Sequence, residues 1–95
     1  MFVGVCKLDL QIPGCRSLKD KRRVLRKIKD RTESRFKVFV AEVEHQDLWQ
    51  RAGLGFAVVG NEHAVVEGIV ERVINSIADM GDSLLIDRYT EMMSV

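Results

Sequence analysis

The first ten or so residues alternate. Phe2, Cys6, Leu8 and Leu10 share one parity while Lys7, Asp9 and Gln11 take the other, which predicts a strand with one buried face. Pro13-Gly14 interrupts it. From Ser17 the period lengthens: at 100° per residue Leu18, Val24, Leu25 and Ile28 gather on one arc, which predicts a helix ending near Glu33. Ser17 is the expected N-cap, with Asp20 answering as in a capping box.

Alternation returns at residues 35–43, where Phe36, Val38 and Val40 face one way and Phe39, Ala41 and Val43 the other. After the polar stretch "EHQD" comes a third strand over residues 48–60, weakened by Gly53 and Gly55. So short a connection predicts an antiparallel hairpin. Val66, Ile69, Val70, Val73, Ile77 and Met80 recur at helical spacing behind an expected N-cap at Asn61, with Gly81 placed to end the helix. "SLLIDRYTEMM" closes the series as a fourth strand.

The order is βαββαβ. Two right-handed crossovers flanking a hairpin give an α+β, ferredoxin-like arrangement: a four-stranded antiparallel sheet with both helices on one face. The opposite sheet face stays open, yet several strands carry apolar residues on both sides, Phe39 and Leu85 among them. An apolar face without helices predicts a homodimer formed through it.

At 95 residues the chain reads as a single domain spanning 1–95. A hydrophobic share of 46% and a charged share of 31% are ordinary for a soluble globular protein. No apolar run approaches a membrane span, and Met1-Phe2-Val3 leads straight into strand-like sequence rather than a secretory signal. Together these point to the cytoplasm. Cys6 and Cys15 are expected as free thiols.

Charge changes the picture. The net formal charge is only +1, but residues 1–37 carry twelve Lys/Arg against four Asp/Glu, and residues 38–95 carry three against ten. Eight of the fifteen residues in "SLKDKRRVLRKIKDR" are basic. Lys19, Arg22, Arg23, Arg26 and Lys27 fall on the exposed arc of the first helix, where they suit the phosphates of RNA or a ribosomal particle. The helix interleaves no aromatic residue for base stacking. The competing uses of such a face are simple solvation or docking on an acidic protein surface.

Lys21 is different, because its phase puts it beside Leu25 and Ile28 on the core-facing arc. Glu42 shares the parity of Val38 and Val40, so a structural ion pair between Lys21 and Glu42 is expected. Glu42, Glu44, His45 and Asp47 do not have metal-ligand spacing, and no nucleophile–base arrangement stands out. The expectation is a non-enzymatic protein with neither metal nor cofactor. A small-molecule-sensing dimer is a more distant alternative.

"SLKDKR" at 17–22 and "AEVEHQDLWQRAGLG" at 41–55 resemble the YlxP-like family of small bacterial proteins, a domain of unknown function. Ser17, Leu18, Lys19, Lys21 and Arg22 match its first motif, and Ala41, Glu42, Val43, Gln46, Asp47, Trp49, Gln50 and Arg51 its second. The resemblance implies a ferredoxin-like fold and, through genes that neighbour translation and ribosome-maturation genes, an RNA-linked role. It implies no activity. It marks Gln46, Trp49, Gln50 and Arg51 as interface or motif residues.

Overall fold

In the computed structural model, which describes residues 1–95, six elements follow the βαββαβ order: β1 (Phe2–Gln11), α1 (Leu18–Phe36), β2 (Ala41–Glu44), β3 (Arg51–Gly60), α2 (His63–Ala78) and β4 (Leu84–Ser94). The strands form one open antiparallel sheet ordered β2-β3-β1-β4. This is the ferredoxin-like topology.

Alternation in β1 does what its pattern predicts. Cys6, Leu8 and Leu10 are buried and pair across to Phe56, Leu54 and Ala52 of β3. Leu25 and Ile28 of α1 and Val66, Val70, Val73, Ile74 and Ile77 of α2 close the same core from the helical side. Gly4 lets α2 lie close to β1, since a Cβ there would meet Val70 Cγ2 at 2.9 Å.

Ser17 caps α1: its Oγ accepts from the Asp20 N–H at 3.1 Å. The reciprocal bond is displaced, because the Asp20 carboxylate accepts from the Arg16 N–H rather than from Ser17. An Asp side chain is one methylene shorter than the Glu of a full capping box. The helix also runs three residues past Glu33. It ends where Lys37 turns left-handed (φ 57°) and its N–H closes on the Glu33 carbonyl at 2.9 Å. Glycine usually fills that conformation, so the stop signal was hidden.

Two further boundaries differ. Residues 38–40 read as strand, but β2 pairs with β3 only from Ala41. The N–H of Val40 goes instead to Glu33 Oε2, at 3.0 Å. The α2 cap is Glu62 rather than Asn61 and makes no side-chain bond, and the helix ends at Ala78, two residues short of Met80. Gly81 (φ 80°) turns the chain toward β4.

Candidate nucleic-acid interface

The first helix presents its cations on two flanks. At 100° per residue Lys19, Arg22, Arg26 and Lys29 lean toward β2, whereas Lys27 and Arg31 lean toward α2. Lys19, Arg22, Arg23 and Arg26 are all exposed, and none has a carboxylate within 4.0 Å. Lys27 departs from expectation. Its Nζ lies 2.8 Å from Asp82, in the turn before β4, so it is engaged within the molecule rather than free for a phosphate.

Several cations elsewhere are matched, although Arg16, Arg35, Lys37 and Arg72 also have no carboxylate within 4.0 Å. Lys7 pairs with Glu44 at 2.6 Å, and Arg51 grips Asp9 through both carboxylate oxygens, at 3.2 and 2.6 Å. Arg88 holds Glu71 through two hydrogen bonds, which keep that carboxyl below the usual carboxylate range.

The structure places Lys21 inside, only 2% exposed. Its Nζ lies 2.7 Å from Glu42 Oε2 and donates to the carbonyls of His45, at 2.7 Å, and Gln46, at 3.5 Å. The ammonium thus has three oxygens around it, two carbonyls that accept hydrogen bonds and one carboxylate oxygen in ion-pair contact. Lys21 therefore fastens the β2–β3 turn to the first turns of α1. Gln50, at the end of the same turn, ties it to the β1–α1 loop: its Nε2 donates to the Cys15 carbonyl at 3.1 Å. Of the motif residues, Gln50 and Arg51 thus bond to other parts of the fold, although Gln50 is exposed like Gln46 and Trp49.

Sequence reasoning missed Phe39. Its parity assigned it to the open sheet face, but it precedes β2 and stands at the sheet's outer edge, 78% exposed. There it lines a groove of about 360 Å³ together with Arg22, Arg26 and Lys29 from α1. Glu33 sets this position by tying down the Val40 N–H, so that Val38 and Val40 point inward and Phe39 outward. The groove also holds Asp30, Glu33 and Glu42, of which Glu42 is matched by Lys21. The three cations thus face two carboxylates, Asp30 and Glu33, that have no cation within 4.0 Å, and the groove as a whole carries only a small positive balance. The only available signal was an exposed-parity Phe between two valines, and it did not reveal the neighbouring helix.

The open sheet face has a second cavity, about 250 Å³, lined by Lys7, Asp9, Val43, Glu44, Asp87 and Tyr89 among others. Within it Lys7 pairs with Glu44, while Asp9 and Arg88 are held by Arg51 and Glu71 from outside the lining. The hydrogen bond and charge of Glu44 hold Lys7 above its ordinary value, and Lys7 in turn holds Glu44 low. The Tyr89 hydroxyl donates to Glu91 at 2.7 Å, which raises the phenol. Val43 and Tyr89 line it, and Val59, Ile86 and Met93 are further exposed apolar side chains on β3 and β4.

A four-stranded sheet carrying one strongly basic helix defines a small α+β protein of the ferredoxin-like class. Residues 3–90 match the family described as "Protein of unknown function (DUF503)", and the chain belongs to that family. It is 35% identical over 73 residues to the "Uncharacterized protein YlxP" of Bacillus subtilis (strain 168), a match covering 77% of this chain and 79% of that protein.

Proposed function

We propose that this protein is a cytoplasmic, non-enzymatic RNA-binding protein that holds structured RNA, including that of a ribosomal particle, against the outer arc of α1. One observation carries the reading. Lys19, Arg22, Arg23 and Arg26 stand together on one exposed arc of α1 without acidic partners, whereas Arg16, Arg35, Lys37 and Arg72, unpaired as well, lie off that arc. Cations left free on one arc raise the local potential and release counterions when they meet phosphates.

The test is a filter-binding titration of nucleic-acid-free protein against structured ribosomal RNA. Arg22→Glu combined with Arg26→Glu removes binding, while thermal stability changes little because both side chains are solvated. Full RNA affinity in the double variant refutes the reading. Wild-type protein that ignores RNA yet captures an acidic protein favours the alternative, a protein-interaction module.

Self-association is a second part of the proposal. Val43, Val59, Ile86, Tyr89 and Met93 are exposed on or beside the uncovered sheet face, which supports a homodimer formed there and leaves α1 on the outside of each protomer. Sedimentation equilibrium of wild type against Val59→Asp checks it. The account expects a dimer that the substitution turns into a monomer, and a monomeric wild type contradicts it.

A further inference from the structure

The groove between α1 and the β2 edge combines two things that duplex recognition does not use together: a free aromatic face and basic side chains beside it. Phe39 is 78% exposed, although a Phe at a strand edge is ordinarily driven under a neighbouring side chain. It is held outward by structure on both sides, through the left-handed turn at Lys37 and the Glu33 bond to the Val40 N–H. Arg22, Arg26 and Lys29 line the same groove. A paired base cannot offer its flat face to a side chain, whereas an unpaired one can, and every base has such a face. Resting on the reading of α1 as an RNA-binding surface, we propose that the groove takes an unpaired nucleotide, its base stacked on Phe39 and its flanking phosphates on Arg22 and Arg26. The target is then single-stranded or bulged RNA, not uninterrupted duplex. Asp30 stands in the same groove without a cation within 4.0 Å, as an acceptor for an exocyclic amino group of the base.

Fluorescence anisotropy separates this idea from the broader one. The probes are a labelled unstructured RNA 12-mer and a perfectly paired RNA duplex of the same length, against wild type, Phe39→Ala and Phe39→Tyr. The expected result is tighter wild-type binding to the single strand, and a loss of about 5- to 100-fold in Phe39→Ala. Phe39→Tyr retains most of the affinity, and the salt dependence of Phe39→Ala matches that of wild type because the cations remain. Equal binding of strand and duplex, with Phe39→Ala unchanged, overturns the stacking site while leaving α1 as an RNA-binding face. Absence of binding to both RNAs at low salt overturns the stacking site together with the RNA reading beneath it. Since Phe39 is exposed, its replacement does not threaten the fold.

Discussion

Replacing Lys21 by Met keeps most of the aliphatic stem and removes the ammonium alone. Three oxygens then lose a partner: the Glu42 carboxylate and the His45 carbonyl, each 2.7 Å away, and the more distant Gln46 carbonyl. Deleting one member of a fully buried ion pair costs about 3–5 kcal/mol. Glu42 retains 22% side-chain exposure, so water recovers part of that loss. A buried carbonyl left without its donor adds about 1–3 kcal/mol, and removing the cost of burying an ammonium offsets some of the total. The net expectation is a loss of about 2–3 kcal/mol. For a domain of this size it lowers the melting temperature by roughly 10–20 °C. Thermal melts followed by circular dichroism measure it, and the fluorescence of Trp49, the one tryptophan in the chain, reports on the turn that Lys21 fastens. Glu42→Gln completes a double-mutant cycle, in which the pair of substitutions costs about 1–2 kcal/mol less than the sum of the two singles. Single losses under about 0.5 kcal/mol, or strict additivity, refute the fastening role.

Two other perturbations probe the scaffold. A Cβ on Gly53 would stand 2.6 Å from the Glu44 Cβ across the β2–β3 pairing, so Gly53→Ala destabilises by about 1–3 kcal/mol in urea melts; a neutral result shows that the β2 bulge shifts freely. Burial pushes the Cys6 thiol up to about 11 from an ordinary 9.0, so the folded state keeps this proton after the unfolded chain has released it. Its contribution to stability is complete below pH 9 and is lost as pH rises toward 11. Melting temperatures across that range therefore fall more steeply for wild type than for Cys6→Ala, and parallel curves contradict the assignment.

Much of the architecture was readable because burial is one-sided. Phe2–Gln11 alternates since helices cover one face of β1 only, and the phase of Lys21 beside Leu25 and Ile28 is enough to set it next to Glu42. The end of α1 was not readable, because Lys37 adopts the left-handed conformation without being glycine. The beginning of β2 was hidden for a different reason. Alternation in Val38-Phe39-Val40 looks like sheet, but the Val40 N–H bonds to a side chain of the preceding helix. The interface was half visible. Charge density marked α1, yet only the fold shows that Lys27 is tied to Asp82 and that Phe39 joins Arg22 and Arg26. Contacts between elements distant in sequence leave no periodic trace.

The most direct test of the account is the salt dependence of RNA affinity. Each phosphate neutralised on a single strand contributes about −0.7 to the slope of log K against log salt, so three to four contacts along Lys19, Arg22, Arg26 and Lys29 predict a slope of roughly −2 to −3. The account expects that slope in wild type and its collapse in Arg22→Glu/Arg26→Glu. An affinity indifferent to salt, or a slope that survives the double charge reversal, contradicts it.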